Sequence, residues 1–260
     1  MKGIILAGGH GTRLNPLTKI ISKQLLPVFD KPLIYYPLST LMLTGIREIV
    51  IICRPDQIEL FRHLLGDGAE FGISIIYIEQ IDPNGIAAGI LLAEHFLGSD
   101  NFCLILGDNI FHGVGLGRDL ENYVDKDGCH ILCYGVSNPQ EYGVLELSED
   151  GQIQEINEKP IHPNSNLAIT GIYFLDNSAI SIAKQILPSH RGELEITDVL
   201  KEYLRMGKLK FTELPRGTAW LDTGSFRSLH DAASYVRIME ERNGLKIGDP
   251  FEAGKIKGWI

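Results

Sequence analysis

The first half of the chain alternates short, almost wholly apolar runs with longer runs of helical character. The apolar runs predict strands at Lys2–Leu6, Glu48–Cys53, Ile73–Ile78 and Phe102–Leu106. The runs between them predict helices at Leu33–Thr44, Gln57–Leu65 and Ile86–Phe96. Strands that are apolar at nearly every position are buried on both faces, as in a parallel sheet covered by helices. The pattern therefore predicts a Rossmann-like α/β fold with a mostly parallel central sheet.

The second half has a different pattern, in which polar and apolar residues alternate. Val144–Leu147 and Gln152–Ile156 flank Glu149-Asp150-Gly151, which predicts a β-hairpin. Further elements are predicted as strands at His130–Val136, Leu167–Leu175 and Leu209–Leu214, and as helices at Ser178–Leu187, Ile196–Met206 and Phe226–Asn243. Because there is no internal repeat or long linker, we expect one domain over 1–260, in which about 131–260 adds a smaller hairpin and helical extension to about 1–130.

Composition excludes some classes of partner and indicates a compartment. Hydrophobic residues make up 44% of the chain, enough for a full core, and the net charge of −9 disfavours binding to nucleic acid or to an anionic membrane. The apolar run Ile4–Ala7 is too short for a signal peptide. Cys129 and Cys133 are spaced like half of a metal site, but no second Cys/His pair follows. We expect all four cysteines, the other two being Cys53 and Cys103, to be reduced core thiols of a cytosolic protein.

A glycine-rich turn follows the first predicted strand and carries an arginine. The segment Gly8-Gly9-His10-Gly11-Thr12-Arg13 can bring backbone N–H groups close to a ligand, and such a turn binds phosphate oxygens. Leu14 stands where a dinucleotide fingerprint needs its third glycine, and no G-K-[ST] ending indicates a P-loop. A tight turn without a ligand would explain the glycines but not Arg13, which adds a fixed positive charge. The turn therefore indicates phosphate binding.

Three further charged residues are candidates for the same site. Lys23 precedes the apolar run Leu25–Val28, where a cation is costly without an anion, and a triphosphate would supply one. Asp108 ends a buried strand, and Asp222 follows apolar and aromatic residues. Two carboxylates, with phosphate oxygens and water, suit Mg²⁺. Each aspartate alone could equally be a cap or turn residue, and nothing in the spacing brings the two together.

These motifs resemble those of the sugar nucleotidyltransferases. The resemblance is carried by Leu6–Leu14, by Lys23 before Leu-Leu-Pro, and by Lys31–Met42 (KPLIYYPLSTLM), which is similar to the glucose-1-phosphate thymidylyltransferases in particular. It extends over nearly the whole chain. Position ten is usually a small residue in that family, and here it is His10. The resemblance implies that Asp108 and Asp222 together bind magnesium.

The resemblance also implies how the substrates are held. The first half would bind the nucleotide and the second half the sugar. The nucleotide residues would be Gly8, Gly9, Gly11, Thr12, Arg13, Lys23, Gln24 and Asp108, with Gln80 and Gly85 at the base. The sugar residues would be Asn109, Tyr142, Gly143, Glu158, Lys159, Ile169, Thr170, Tyr173 and Arg191. Ala88, three residues after Gly85, stands where the family commonly has a glutamine.

The activity implied is Mg²⁺-dependent transfer of a thymidylyl group from dTTP to glucose 1-phosphate. The products would be dTDP-glucose and pyrophosphate, at the start of dTDP-rhamnose and deoxysugar synthesis, in a cytosolic homo-oligomer. The attacking phosphate is already an anion, so catalysis needs positioning and charge neutralisation, from Arg13, Lys23, Lys159 and Arg191, rather than a general base.

Four other functions remain as alternatives at this stage. The nearest is the same chemistry with UTP or another nucleotide and a different sugar 1-phosphate. A catalytically silent sugar-nucleotide sensor would be expected to lack one of Arg13, Lys23, Asp108 or Asp222, and all four are present. A nicotinamide oxidoreductase is disfavoured by the missing third glycine, and a glycosyltransferase by the Gly8–Arg13 loop.

Overall fold

The computed structural model describes residues 1–260, and its largest element is a nine-stranded sheet. The strands of the chain are β1 (Lys2–Ala7), β2 (Pro27–Val28), β3 (Lys31–Pro32), β4 (Glu48–Cys53), β5 (Ser74–Glu79), β6 (Phe102–Leu106), β7 (Asn109–His112), β8 (Cys129–Gly135), β9 (Gly143–Leu147), β10 (Ile153–Glu158), β11 (Leu167–Leu175), β12 (Leu209–Glu213) and β13 (Ala219–Asp222). The helices are α1 (Tyr35–Leu43), α2 (Ile58–Leu65), α3 (Ile86–Leu92), α4 (Glu94–Leu97), α5 (Leu116–Glu121), α6 (Ser178–Ala183), α7 (Ile196–Arg205), α8 (Phe226–Asn243) and α9 (Pro250–Ile256).

The large sheet has the order β10-β9-β11-β6-β1-β4-β5, and β8 pairs with both β11 and β12. Strands β6, β1, β4 and β5 are mutually parallel. Strand β11 runs against β6, β8 and β9, and β10 runs against β9, whereas β12 is parallel to β8. Seven of the nine strands therefore point the same way, and the predicted mostly parallel sheet, flanked by helices, is confirmed.

Two apolar cores cover the two faces of this sheet. Along β4, Ile49, Ile51 and Cys53 belong to one core, and Val50 and Ile52 belong to the other. Helices α1, α2 and α9 cover the first face, and α3, α6 and α7 cover the second. Because successive side chains of a strand point to opposite faces, strands buried on both sides are apolar at every position. This explains the continuous apolar runs in the sequence.

Several elements differ from the sequence prediction. The predicted helix over Ile86–Phe96 is divided into α3 and α4, and the helix that begins at Ser178 ends at Ala183, before Pro188. The strand pairs β2/β3 and β7/β13, and helices α5 and α9, were not predicted. Of these elements, the pair β7/β13 matters most for the site, because it joins residues more than 100 positions apart and leads directly into the site.

All four cysteines are buried free thiols in strands of the large sheet. None of the helices is both long enough and apolar enough to cross a membrane.

Candidate functional site

The glycine turn lies at the carboxyl end of β1, the edge at which parallel α/β sheets bind ligands. Gly11 has a φ of +60°, in the left-handed region that favours glycine. At Gly8, a Cβ atom would overlap the side chain of Gln80. Glycine is therefore favoured at position 11 by the backbone conformation and at position 8 by the nearby Gln80 side chain, and the turn is open towards a cleft.

The cleft has two lobes that share a wall. The first lobe has a volume of about 240 Å³ and is lined by Leu6, Gly8, Gly9, Gly11, Lys23, Gln24, Gln80, Pro83, Gly85, Ile86, Leu106, Asp108, Glu158, Lys159, Arg191, Glu193 and Glu195. The residues expected to hold a nucleotide lie here, except Thr12 and Arg13, which line the second lobe. Ala88 lines neither lobe.

The second lobe has a volume of about 630 Å³. Its lining includes Thr12, Arg13, Asn109, Gln140, Glu141, Tyr142, Gly143, Ile169, Gly171, Tyr173, Ile196, Thr197, Trp220 and Asp222. Six residues line both lobes, namely Ile86, Leu106, Asp108, Glu158, Lys159 and Arg191. The two lobes therefore meet at a boundary that carries both cations and carboxylates.

Thr170, expected on the sugar side, does not line either lobe. Alternate residues of β11, which are Ile169, Gly171 and Tyr173, face the second lobe. Thr170 lies on the opposite face of the strand, where its hydroxyl donates to the carbonyl oxygen of Leu132 at 3.0 Å. The expectation for its side chain was wrong because the two-residue period of a strand turns it away from the cleft.

The pairing of β7 with β13 brings the two candidate metal ligands together. In the antiparallel register Asp222 lies opposite Asn109, the residue after Asp108. The hydroxyl of Thr223 donates to the carbonyl oxygen of Asp108 at 2.9 Å, which ties the ends of the two strands. The sequence could not show this proximity, since it depends on a pairing across more than 100 residues.

The two carboxyl groups have opposite pKa shifts. Burial and the negative charge of Asp108 raise the pKa of Asp222 to about 6. Burial also acts to raise the pKa of Asp108, but the ion pair with Lys23 and a hydrogen bond from Asn109 outweigh it and hold that pKa below its usual value. Asp108 is therefore the ionised member, and the negative charge of Asp222 is only partly compensated.

The two cations of the nucleotide side have different surroundings. Lys23, largely buried, forms an ion pair with Asp108, so a protein carboxylate supplies the anion that its position requires. Arg13 is exposed and has no ion pair. Its guanidinium group lies beside Gly224, where a Cβ atom would approach it to 2.7 Å. Arg13 is therefore a free cation at the mouth of the second lobe.

The carboxylate pair Asp108 and Asp222 is the candidate site for a metal ion. No group of three or more His, Cys, Asp or Glu side chains is arranged to hold a metal. Asp108 and Asp222 supply two oxygen ligands of mutually repelling charge, which a dication would relieve. Mg²⁺ commonly takes one or two carboxylates and completes its shell with water and phosphate oxygens. The residues present therefore fit a divalent cation shared with a substrate.

Arg191 is surrounded by carboxylates. Its guanidinium nitrogens lie 2.9 Å from Glu193, and 3.5 Å from both Glu158 and Glu195. Burial and the charge of Glu195 raise the pKa of Glu158. The expected cation is therefore in the cleft, but it is held by three glutamates rather than free. Glu193 and Glu195 were not among the residues that the sequence indicated.

Lys159 has an unusual backbone conformation. Its φ is +43°, which is uncommon outside glycine and costs of order 1 kcal/mol or more. Its N–H donates to the carbonyl oxygen of Tyr142 at 3.0 Å, and its side chain reaches the boundary of both lobes. Strain of this kind persists only where the surroundings impose it and is frequent at functional sites.

Aromatic packing shapes the second lobe. The ring of Tyr142 packs on Trp220 with centroids 5.1 Å apart, and the Trp220 indole N–H donates to Oδ1 of Asn109 at 2.6 Å. The amide of Asn109 in turn donates to Asp108 at 2.9 Å. Both polar atoms of Asn109 therefore already have protein partners, so this residue supports Asp108 as well as lining the lobe.

Thr197 is a lining residue that the sequence did not indicate. Its Oγ1 is buried and forms no hydrogen bond of good geometry, although it lies close enough to the Glu158 carboxyl group to oppose the rise in the pKa of that group. Its methyl group would lie 3.0 Å from a Cβ atom at Gly143, so a larger residue there would be crowded. A hydroxyl placed in this way can also form a hydrogen bond to a ligand hydroxyl group.

The chain was compared with known proteins. A family model described as "Nucleotidyl transferase" matches residues 2–237. The glucose-1-phosphate thymidylyltransferase of Mycobacterium tuberculosis is 51% identical over 260 residues, covering 100% of this chain and 90% of that protein. The enzyme of the same name from Neisseria meningitidis is 50% identical over 261 residues, covering 100% and 91%.

Solved structures show the same fold. A Bacillus anthracis protein, provisionally assigned as a glucose-1-phosphate thymidylyltransferase and solved with a sucrose, is 40% identical with a TM-score of 0.85, over 97% of this chain and 99% of that chain. A UDP-glucose pyrophosphorylase complexed with UDP-glucose is 24% identical with a TM-score of 0.80, over 92% and 98%. The second likeness bears on the fold alone.

Proposed function

The chain belongs to the nucleotidyl transferase family, and on that premise we propose that it transfers a thymidylyl group from dTTP to glucose 1-phosphate. The products are dTDP-glucose and pyrophosphate. The observation that carries the proposal is the boundary between the two lobes, where Asp108, Lys159 and Arg191 face both cavities. A reaction that joins two anionic substrates needs such a shared, charged boundary.

The first lobe suits the nucleotide. The side chain of Gln80 lies in its wall, and the amide group makes no hydrogen bond to the protein. An amide both donates and accepts, as the imide edge of a pyrimidine requires. Gly85, with a φ of +103°, brings the backbone close on the same side. With the base at Gln80, the phosphates of the nucleotide would lie along Gly8, Gly9 and Gly11, and Lys23 lines the same lobe.

The second lobe suits the sugar phosphate. Its wall offers hydrogen-bonding groups to hexose hydroxyls from Tyr142, Glu158 and Thr197. Gly143 leaves room beside them, since a side chain there would meet Thr197. Lys159 and Arg191 stand at the boundary, where the sugar phosphate must meet the α-phosphate of the nucleotide. Of the other expected contacts, Asn109, Ile169 and Tyr173 also line this lobe.

The reaction is a direct displacement. An oxygen of the sugar phosphate forms a bond to the α-phosphorus of dTTP, and the bond from that phosphorus to the bridging oxygen breaks as pyrophosphate leaves. The nucleophile is anionic at neutral pH, so no side chain has to remove a proton. Lys159 and Arg191 orient the attacking phosphate, while Arg13 and Lys23 neutralise the triphosphate. Positioning and charge neutralisation are therefore the contributions of the protein.

Asp108 and Asp222 would hold the divalent cation, which we propose is Mg²⁺. When bound, it polarises the phosphate oxygens and neutralises part of their charge. The raised pKa of Asp222 supports the assignment, because two carboxyl groups this close repel each other in its absence. By family likeness we also propose that the protein is a cytosolic homo-oligomer, which light scattering and cell fractionation would test.

Pyrophosphate release tests the proposed function. We expect the fastest release with dTTP and glucose 1-phosphate, against a panel of UTP, CTP and other sugar phosphates. Asp108→Asn should lower kcat by at least about 100-fold, whereas the exposed Asp150→Asn, in the β9–β10 turn, should be unaffected. Preference for another nucleotide would overturn the substrate assignment, and a fully active Asp108→Asn would overturn the role of the carboxylate pair.

A further inference from the structure

We propose that Ser22 and Gln57 are positioning residues that hold the Gln24 amide as a hydrogen-bond donor to the nucleotide, an inference that rests on the proposed function. Neither residue lines the cleft. Both are buried, as is Gln24, at 2–3% exposure. Three largely buried polar side chains in one row need a common explanation, because buried polar groups in proteins are normally hydrogen-bonded.

The row begins at Gln57, just before α2. Its Nε2 donates to the carbonyl oxygen of Ile20 at 3.1 Å and to Asp56 at 2.8 Å. Both partners can only accept, so the orientation of the Gln57 amide is fixed. Its Oε1 therefore faces the backbone N–H of Ser22 and accepts from it at 2.7 Å. Gln57 thus holds the chain on both sides of residue 21.

The second step runs from Ser22 to Gln24. The hydroxyl of Ser22 donates to Oε1 of Gln24 at 2.7 Å. The carbonyl oxygen of Gln24 is held as well, since it accepts from the N–H of Ile34 at 2.8 Å. With its oxygen engaged and its backbone fixed, Gln24 keeps its Nε2 without a protein partner, and its side chain lines the first lobe. Because the side chain lines the open lobe and its Nε2 has no protein partner, this amide nitrogen is available to an oxygen of a bound ligand.

The same anchoring fixes the neighbouring lysine. Lys23–Leu25 form a single 3₁₀ turn, closed by the Leu25 N–H, which donates to the carbonyl oxygen of Ser22 at 3.0 Å. Lys23 projects from this turn to Asp108. Ser22 therefore controls the direction of the Gln24 amide, whereas Gln57 controls the placement of the whole turn. This difference predicts distinct kinetic effects for the two residues.

The test compares Michaelis constants for the two substrates. Ser22→Ala removes one neutral hydrogen bond and should raise the KM for dTTP about 3–10-fold, with the KM for glucose 1-phosphate and kcat within about twofold. Ser22→Thr, which keeps the hydroxyl, should restore the KM for dTTP. Gln57→Leu should raise that KM and also lower kcat, because Lys23 moves with the turn. Thr44→Val is the matched control, since it removes a buried hydroxyl bonded to Leu41 outside the cleft.

A double-mutant cycle shows whether Ser22 acts through Gln24. In a Gln24→Leu background, Ser22→Ala should change the KM for dTTP less than about 1.5-fold. Additive effects, an equal rise in both Michaelis constants, or an unchanged KM for dTTP in Ser22→Ala would each overturn the positioning role. A wild-type protein that releases no pyrophosphate would contradict the proposed function and this inference with it. An active wild type with an unselective Ser22→Ala would contradict the inference alone.

Discussion

Asp222→Asn should make the metal-free protein more stable at neutral pH while removing its activity. Asp222 is mostly buried, and burial together with the charge of Asp108 raises its pKa from 3.8 to about 6. Ionising this group in the folded protein is therefore less favourable than in the unfolded chain. An amide of the same shape has no such charge, so replacing the carboxyl group removes the repulsion while keeping the packing.

The magnitude and its pH dependence follow from the two pKa values. The difference between a pKa of 3.8 and one of about 6 corresponds to about 3 kcal/mol of stability lost when the group is ionised in the folded state. Since the folded pKa is the higher one, the loss is absent below about pH 4, grows as the pH rises to about 6, and is complete above that. The gain from Asp222→Asn should therefore be about 3 kcal/mol at pH 7.5 and about half of that at pH 5.

Thermal unfolding in a chelator at these two pH values measures the effect. At pH 7.5 the midpoint should rise by about 5–10 °C. Asp176→Asn is the control of opposite sign: burial acts to raise the pKa of Asp176, but hydrogen bonds from Ser178, Tyr203 and Gly128 lower it overall, so this variant should lose stability at pH 7.5. A lower midpoint for Asp222→Asn, or the same gain at both pH values, would refute the reasoning.

Two further predictions concern stability and can be checked by urea unfolding. Lys31→Met should lower the free energy of unfolding by about 3 kcal/mol, because it breaks a buried ion pair of 2.8 Å with Glu240. The dTTP kinetics should not change. A loss of stability below about 0.5 kcal/mol would argue against a structural role for the pair. Lys159→Gly should be about 1 kcal/mol more stable than Lys159→Ala, because glycine adopts the positive φ without strain. Both variants should raise the KM for glucose 1-phosphate. An alanine variant as stable as the glycine variant would show that the backbone is unstrained.

Local pattern was sufficient to predict the central sheet. The runs Glu48–Cys53, Phe102–Leu106 and Leu167–Leu175 are strands with the predicted bounds. Each is buried along nearly its whole length, so its hydrophobicity is a direct consequence of its place between two helical layers. The glycine turn could also be predicted, because glycine is the residue type that adopts the positive φ of Gly11 without strain.

Strand pairings between residues far apart in the sequence could not be predicted from local patterns. Strands β7 and β13 are four residues each and carry mixed polar and apolar side chains, so neither has a distinctive period. Only their pairing brings Asp222 close to Asp108. From the sequence, this proximity was expected only because of the family resemblance. Thr197 and Glu195 were missed for a related reason. Their roles depend on neighbours contributed by other elements, and no local spacing marks them.

The charges of the cleft explain how an acidic protein can bring two polyanions together. The residues that line the two lobes include four cations and six carboxylates, a formal charge of −2. The cations are Arg13, Lys23, Lys159 and Arg191, and the carboxylates are Asp108, Glu141, Glu158, Glu193, Glu195 and Asp222. A cleft of this charge does not attract polyanions by its field alone.

Binding must therefore proceed by exchange of partners. In the free protein Asp108 holds Lys23, and three glutamates hold Arg191, so these two cations are in place but already neutralised, whereas Arg13 has no ion pair. On the roles proposed above, phosphates can take these cations only if the carboxylates gain other partners, which would be the divalent cation for Asp108 and Asp222 and sugar hydroxyls for Glu158. A polyanion without these partners finds only Arg13 free, with Lys23 and Arg191 already paired and a lining of net negative charge. The same carboxylates that position the cations thus restrict their use to the complete set of substrates and metal.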